Sequence, residues 1–256
     1  MIVIDSGLGG IAVARALRAL APGLPFAYLA DTAGFPYGSR SVADINARAA
    51  QLVASLEKTM PLSTIVLACN TLSTLCLAEL RMRFPHMFVG TVPAIKVAGR
   101  VSATRRFTLL ATPNTVASSY SQNLIDDFAA DCVVDRYGAP RLAQFAERSL
   151  LGDMIDPTLW QAELAPAFHN DARGKTDAVI LGCTHYPLVL AQLKAAAPWE
   201  VQWIDSSDAI ARRALSQPQT PVEAVAYVTA PADIARYEAL FAREGFTATQ
   251  ALAVTD

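Results

Sequence analysis

Two cysteines stand in similar surroundings, one in each half of the 256-residue chain. Cys69 ends an apolar, β-branched run that begins at residue 64, and Cys183 ends a similar run that begins at residue 178. Such runs predict buried strands, so each cysteine is expected at the carboxyl end of a strand, where open α/β sheets bind their ligands. A thiolate is both a base and a nucleophile. The pattern therefore predicts one site that contains two sulfur atoms.

Two further side chains in this pattern could move protons. Asp5 directly follows the first predicted strand, at residues 2–4, and His185 lies two residues after Cys183. Helix N-termini and protonated histidines both favour a thiolate. The polar residues after the two cysteines are expected to cap or begin the helices that follow; they are Asn70, Thr71, Thr184 and His185.

Three chemistries fit these residues. A Cys–His nucleophile could form a thioester, as in an amidase or a thiol hydrolase. A zinc site with two cysteines and a histidine is the second alternative, but the close-spaced C-x-x-C pairs typical of such sites are absent. In the third, Cys69 and Cys183 act as base and acid on opposite faces of a substrate carbon and invert it. The other two cysteines, Cys76 and Cys132, have no polar neighbours that resemble a site and are expected to be structural.

Predicted strands alternate with predicted helices along the whole chain, which indicates an α/β fold. The predicted helices include residues 11–20, 116–129 and 159–170. The interval from Asp5 to Cys69 is 69 − 5 = 64 residues, and the interval from Thr112 to Cys183 is 183 − 112 = 71 residues. This similarity predicts an internal duplication in which each repeat delivers one cysteine. A near-symmetric site suits a reaction whose forward and reverse directions are alike, so the duplication favours the acid–base alternative.

The composition restricts the class of protein. Hydrophobic residues make up 53% of the chain and charged residues 17%, with a formal net charge of −2 and no basic stretch, so a nucleic-acid partner is not expected. No apolar run approaches the roughly 18–20 residues that span a bilayer. Four cysteines without close pairs, and an N-terminus unlike a signal peptide, predict a cytoplasmic protein.

Four motifs in order resemble those of the cofactor-independent aspartate/glutamate racemase family. They are residues 5–10 (DSGLGG), residues 31–39 (DTAGFPYGS), residues 68–71 (ACNT) and residues 182–188 (GCTHYPL). The resemblance extends from residue 2 to about residue 207. It implies two similar open α/β sheet domains with the active site between them. The first would comprise residues 1–93 plus 205–256, and the second residues 94–204.

The family resemblance also implies an activity and a set of site residues. It implies interconversion of L- and D-glutamate for peptidoglycan synthesis, with neither pyridoxal phosphate nor a metal. Cys69 and Cys183 would be the two acid/bases, assisted by Asp5 and His185. The substrate would be bound by Asp5, Ser6, Tyr37, Gly38, Asn70, Thr71, Thr184 and His185. Glu147 and Thr112 are two further candidates, and a homodimer stays open as an alternative to a monomer.

The chain departs from the family pattern at two places. Val92 stands in the segment before Pro93 and Ala94 where a glutamate is usual, and Asn114 replaces a turn glycine in the second repeat. These changes leave the four motifs intact. Two other functions stay open on the sequence alone: racemisation of aspartate or a hydantoin, and a binding or regulatory role in which catalysis has been lost.

Overall fold

Short strands alternate with helices along the chain, and the central strands of the sheets are buried on both faces. Helices that pack on both faces of a parallel sheet produce this burial. The computed structural model describes residues 1–254. The first 91 residues form β1 (Ile2–Asp5), α1 (Ile11–Leu20), β2 (Ala27–Ala30), a 3-10 turn (Tyr37–Ser39), α2 (Val42–Thr59), β3 (Thr64–Leu67), α3 (Asn70–Arg83) and β4 (Met87–Gly90).

The middle of the chain repeats this alternation. Its elements are α4 (Ile95–Val101), β5 (Arg106–Ala111), α5 (Pro113–Ala117), α6 (Ser119–Phe128), β6 (Val133–Gly138), α7 (Leu142–Leu150), α8 (Pro157–Leu164), a 3-10 turn (Ala165–Ala167), β7 (Asn170–Asp171), β8 (Gly174–Lys175), β9 (Ala178–Gly182), a 3-10 turn (Tyr186–Val189), α9 (Leu190–Ala196) and β10 (Gln202–Ile204). The last described segment adds α10 (Ser207–Leu215), β11 (Val225–Val228), a 3-10 turn (Pro231–Asp233), α11 (Ile234–Arg243) and β12 (Ala248–Ala251).

The chain divides into two compact units. The first unit is Met1–Thr91 together with the chain from Ser207 onward, and the second is Val92–Ser206. The predicted boundaries, after residues 93 and 204, lie two residues from these. None of the helices within residues 1–254 combines the length and apolar character needed to cross a membrane.

Each unit contains one parallel sheet. The strand order is β12-β11-β2-β1-β3-β4 in the first unit and β10-β9-β5-β6 in the second, and a short antiparallel pair, β7-β8, lies apart from both. When the strands are numbered in chain order within each parallel sheet, β2-β1-β3-β4 and β6-β5-β9-β10 have the same order, 2-1-3-4. The predicted α/β class and duplicated architecture are therefore confirmed, with β11 and β12 as additions to the first sheet.

The core of the first unit lies on both sides of the central strands. Residues of β1, β2 and β3 are all buried, and they pack against apolar side chains of α2 and α3 such as Leu52, Leu56 and Leu80. Burying a leucine side chain stabilises the fold by about 1.5–3 kcal/mol. The packing of these strands keeps the carboxyl ends of β1 and β3 side by side, and Cys69 follows the end of β3.

Two predicted helices differ from the structure. The helix expected at residues 116–129 breaks at Ser118, whose extended backbone lets its hydroxyl cap α6 by accepting from the amide of Ser121 at 3.2 Å. The helix expected at residues 159–170 ends at Leu164. Pro166 lacks an amide donor, and the chain there tightens into the 3-10 turn before β7.

Candidate active site

Three of the predicted site residues meet at the carboxyl end of the first sheet. Asp5, Ser6 and Cys69, here called the first thiol cluster, lie at or just beyond the carboxyl ends of the adjacent strands β1 and β3. The Cys69 thiol lies 3.9 Å from the hydroxyl oxygen of Ser6, and the amide of Gly7 donates to the Asp5 carboxylate at 2.9 Å. All three residues are buried, with Asp5 fully excluded from solvent. These strands lie where the strand order reverses, which is the ligand-binding position in open α/β sheets.

Close packing keeps the turn between β1 and α1 tight. A Cβ atom on Gly10 would lie 2.8 Å from the Tyr28 hydroxyl and 3.0 Å from the Asp5 Cβ, so a side chain would displace one of them. The Tyr28 hydroxyl in turn donates to the carbonyl oxygen of Gly7 at 2.7 Å. Glycine at position 10 therefore allows the backbone to bring Asp5 and Ser6 toward the end of β3.

Helix α3 begins at Asn70, as one of the two expectations for Asn70 and Thr71 had it. Cys69 occupies the N-cap position, so Asn70 and Thr71 begin the helix and do not cap it. Their side chains are buried. The Asn70 carbonyl oxygen, Oδ1, is buried with no hydrogen-bond partner within the described chain. A buried amide oxygen without a partner is costly, which makes it a candidate ligand acceptor.

Two hydroxyls fix the end of β3 just before Cys69. The carbonyl oxygen of Leu67 accepts from the Ser73 hydroxyl at 2.7 Å and from the Thr91 hydroxyl at 2.9 Å. The Thr91 amide also donates to the Ser73 oxygen at 2.9 Å. Thr91 precedes Val92, where the chain departs from the family pattern.

The predicted loop residues Tyr37 and Gly38 lie in a buried 3-10 turn. The Tyr37 hydroxyl donates to the carboxylate of Asp31 at 2.5 Å, and Arg48 forms an ion pair with the same carboxylate. Sequence reasoning did not select Asp31 or Arg48 as site residues. Asp31 stands in the second motif and could have been found from it, whereas Arg48 carries no local signal.

The second thiol cluster consists of Glu147, Cys183 and His185. Its cysteine follows β9, the third strand of the second parallel sheet in chain order, as Cys69 follows β3. The Cys183 thiol lies 3.7 Å from Nδ1 of His185, and Nε2 of His185 lies 2.7 Å from a Glu147 carboxylate oxygen. Each of the three is less than a tenth exposed. Glu147 projects from α7, 38 residues before the histidine.

The electrostatics of this cluster favour a charged imidazole. Burial works to lower the pKa of His185, but the hydrogen bonds to Cys183 and Glu147 outweigh it and hold that pKa well above its usual value. An imidazolium beside Cys183 stabilises a thiolate and can also supply a proton. Thr184 and His185 are expected from the sequence to cap or begin a helix, but a short 3-10 turn, Tyr186–Val189, comes first and α9 begins only after it. The positive charge beside Cys183 therefore comes from His185 rather than from the N-terminus of a long helix.

Replacing Glu147 by glutamine should lower the pKa of His185 and destabilise the fold in a pH-dependent way. A histidine pKa raised on folding stabilises the native state fully below its unfolded value of about 6.5, and this contribution disappears as the pH rises through the folded pKa. We therefore expect Glu147→Gln to lower the free energy of unfolding by about 1.5–3 kcal/mol near pH 6, as for a charged hydrogen bond, and by less toward pH 9.

Urea denaturation followed by circular dichroism at several pH values measures this difference. Glu57→Gln is the matched control, because Glu57 forms a similar pair with His86 at 2.8 Å in a more exposed position. A destabilisation by Glu147→Gln that stays constant between pH 6 and pH 9 would contradict the assignment of a charged His185.

Thr112 and Thr184 lie near the carboxyl ends of the paired strands β5 and β9. Thr112 caps α5, and its hydroxyl lies 3.0 Å from the Thr115 hydroxyl. Both predicted threonines are buried. Within residues 1–254 there is no group of three or more His, Cys, Asp or Glu side chains arranged to hold a metal ion.

Comparison with known proteins identifies similar sequences and structures. Residues 11–214 match the family model described as Asp/Glu/Hydantoin racemase. The glutamate racemases of Brucella anthropi and Bartonella henselae are each 43% identical to this chain over 217 residues, or 84% of it, and are themselves covered to 78% and 80%.

Solved structures give the same result. Glutamate racemase of Escherichia coli, in complex with L-glutamate and the activator UDP-MurNAc-Ala, has a TM-score of 0.92 at 35% identity, covering 100% of this chain and 98% of that one. Glutamate racemase of Thermus thermophilus, in complex with beta-chloro-D-alanine, has a TM-score of 0.76 at 30% identity, covering 99% and 96%.

Proposed function

The chain belongs to the Asp/Glu/hydantoin racemase family, and on that premise we propose that it is a glutamate racemase that uses two thiols and no cofactor. It is an amino-acid racemase, and hence an isomerase. One observation carries the two-thiol mechanism: both parallel sheets contain four strands in the order 2-1-3-4, and Cys69 and Cys183 each follow the third of these strands.

In the proposed reaction, one thiolate removes the α-proton of glutamate from one face. The other thiol donates its proton to the opposite face of the α-carbon, which inverts the centre. Each turnover therefore exchanges the protonation states of Cys69 and Cys183 and leaves the enzyme ready for the reverse reaction. Because an amino-acid α-proton is weakly acidic, amides and polar side chains must stabilise the charge that develops on the α-carboxylate.

At the first thiol cluster, the N-terminus of α3 supplies the stabilisation. Cys69 is the N-cap residue of this 14-residue helix, whose free amides and dipole favour a negative charge on sulfur. We assign to Asp5, buried beside Ser6, assistance in proton transfer at this cysteine.

At the second thiol cluster, the buried pair of His185 and Glu147 has the corresponding role. The imidazolium stabilises the Cys183 thiolate and returns a proton when the thiol must act as an acid. Glu147 is a positioning residue in this scheme, since it holds the charge and orientation of His185 through the 2.7 Å contact.

Glutamate has one ammonium and two carboxylates to be bound. The unpartnered Oδ1 of Asn70 is our candidate acceptor for the ammonium. Hydroxyl and amide donors for the carboxylates are assigned to Ser6, Gly38, Thr71, Thr112 and Thr184. Tyr37 contributes to the binding site by packing, because its hydroxyl donates to Asp31 at 2.5 Å.

The test is racemisation of L-glutamate in deuterium oxide with no cofactor added. We expect the optical rotation to decay to zero while deuterium enters the α-position, since each inversion takes its new proton from a solvent-exchanged thiol. Polarimetry and proton NMR of the same sample measure the two processes.

The alternative outcomes point to different errors. Exchange without inversion would contradict the role of the second thiol. Activity with aspartate or a hydantoin but not with glutamate would change the substrate and keep the mechanism. No reaction with any of these substrates would favour a binding protein.

The proposed cellular role is the supply of D-glutamate for peptidoglycan in the cytoplasm. Expression of the chain should restore growth of a bacterial strain that requires added D-glutamate, and a Cys69→Ser variant should not. Analytical ultracentrifugation of the active enzyme then decides between a monomer and the homodimer that the family resemblance raises.

A further inference from the structure

Asp31 is a fully buried carboxylate at the carboxyl end of β2, the strand next to β1. Its amide donates to the carbonyl oxygen of Asp5 at 2.9 Å, so it is tied to the first thiol cluster through the backbone. We propose that Arg48 and Thr229 are positioning residues, which act through Asp31 to hold the loop of residues 32–39 beside Cys69. This inference rests on the proposed function, in which that loop contributes to binding of glutamate.

Three side chains from separate parts of the first unit converge on this carboxylate. Arg48 of α2 donates from Nε to Oδ2 at 3.0 Å and from Nη2 to Oδ1 at 2.5 Å. The Thr229 hydroxyl donates to Oδ1 at 2.6 Å, and the Tyr37 hydroxyl to Oδ2 at 2.5 Å. A buried carboxylate needs such compensation, so each donor restrains its position.

Thr229 also connects the loop to the end of β11. Its hydroxyl oxygen accepts from the amide of Ala33 at 3.0 Å, while the Thr32 hydroxyl oxygen accepts from the amide of Ala230 at 3.1 Å. A side chain at Gly34 would collide with the Asp31 carboxylate, which leaves no room for a bulkier residue there. The loop is therefore fixed at its start by two hydroxyls and one carboxylate.

Tyr37 connects the loop to the region of Cys69 by packing. Its ring belongs to the same buried cluster as Cys69, and it is 1% exposed. The Tyr37 hydroxyl donates its single proton to Asp31. The side chain therefore contributes to the binding site chiefly by packing, and its position sets the position of the next residue, Gly38. Burial raises the pKa of Tyr37 well above its usual value, and the charges of Asp31 and Cys69 add to this effect, which keeps the hydroxyl protonated as a donor.

The experiment compares Thr229→Val with wild-type enzyme. Valine keeps the shape and removes the hydroxyl that donates to Asp31 and accepts from Ala33. We expect the KM for glutamate to rise by about 10-fold or more, with a smaller change in kcat, because the loop no longer holds the substrate in place. Thr229→Ser should restore wild-type values. Arg48→Lys keeps the charge but loses the two-point contact, and should raise KM in the same direction.

A second readout is independent of racemase activity. Alkylation of each cysteine by iodoacetamide is followed by mass spectrometry, and we expect Cys69 to react several-fold faster in Thr229→Val while Cys183 keeps its rate. Thr247→Val is the matched control: Thr247 also lies in the C-terminal segment, and its exposed hydroxyl donates only to the Ala224 carbonyl oxygen, at 3.2 Å. It should leave both readouts unchanged.

The outcomes separate this inference from the proposed function. Wild-type KM and wild-type Cys69 alkylation in Thr229→Val would overturn the positioning role, as would an equal acceleration at both cysteines, which indicates general loosening. If the wild-type enzyme does not racemise glutamate, the proposed function is wrong. Faster alkylation confined to Cys69 would still support the positioning of the loop.

Discussion

Replacement of either Cys69 or Cys183 by serine is expected to lower the rate of glutamate racemisation by at least about 1,000-fold, within the range for loss of a general acid or base. A serine hydroxyl is much less acidic than a thiol, so at neutral pH it supplies no base on its face of the substrate. The measurement is the decay of optical rotation at saturating glutamate, starting from each enantiomer in turn.

Racemisation rates alone do not show which thiol acts on which face of the α-carbon of glutamate. The enantiomers of glutamate have equal free energies in water, so kcat/KM must fall equally in both directions for any variant. Hydrogen exchange separates the two roles. In Cys69→Ser the remaining thiolate of Cys183 should still exchange the α-proton of one enantiomer with deuterium, and in Cys183→Ser the preference should be for the other enantiomer.

Cys132→Ser is the control for these variants. Cys132 lies outside both thiol clusters, half-buried and 3.7 Å from the carboxylate of Asp131, so we expect wild-type turnover. Cys76 is less suitable, since it is fully buried in the core of the first unit, where burial raises the pKa of its thiol to about 12. A Cys69→Ser or Cys183→Ser enzyme with near-normal turnover would exclude the two-base mechanism.

Replacement of Asp135 by alanine is expected to lower the free energy of unfolding of the second unit by about 3 kcal/mol, the lower end of the range for breaking a buried ion pair. The Arg106 side chain is 0% exposed, and its Nε donates to Asp135 at 2.8 Å. Its Nη1 donates to Asp171 at 2.6 Å and to the Gly174 carbonyl oxygen at 3.0 Å. Loss of Asp135 leaves the guanidinium buried and only partly compensated.

Tryptophan fluorescence during urea denaturation measures this effect selectively. All three tryptophans of the chain lie in the second unit, at Trp160, Trp199 and Trp203, so the signal reports on that unit alone. Asp153→Ala is the control, because Asp153 pairs with Arg148 at the surface and such pairs contribute at most about 1 kcal/mol. Equal destabilisation by the two substitutions would contradict the stabilising role of the buried Arg106 cluster.

The sequence by itself determined the succession of elements and the position of both cysteines after strands. Helix α1 (Ile11–Leu20) has the predicted bounds, and strand β3 (Thr64–Leu67) begins at the predicted residue but ends two residues before Cys69. Both depend on local properties, since buried strands are short apolar runs and helices carry an apolar face with a period of 3.6 residues. The repeated spacing before Cys69 and Cys183 was likewise visible without coordinates.

Local signals were insufficient where neighbouring residues compete for one role. Asn70 has a side chain that favours caps, yet the helix begins at that residue and Cys69 takes the N-cap position. Ser118 ends one helix and caps the next, because its hydroxyl accepts from Ser121 and stabilises an extended backbone there. The free-energy differences between such alternatives are small, about 1 kcal/mol for a cap, and packing of the surrounding core decides them.

Only the tertiary structure decided which distant side chains meet. Glu147 contacts His185 across 38 residues, and Thr229 contacts Asp31 across 198 residues. These partners carry no periodic pattern of their own, because their contacts follow from strand order: the pairing of β11 with β2 brings Thr229 to Asp31. Residue type and spacing therefore identify the reactive side chains at the carboxyl ends of the parallel strands. The residues that orient those side chains and stabilise their charges depend on which strands and helices become neighbours in the fold.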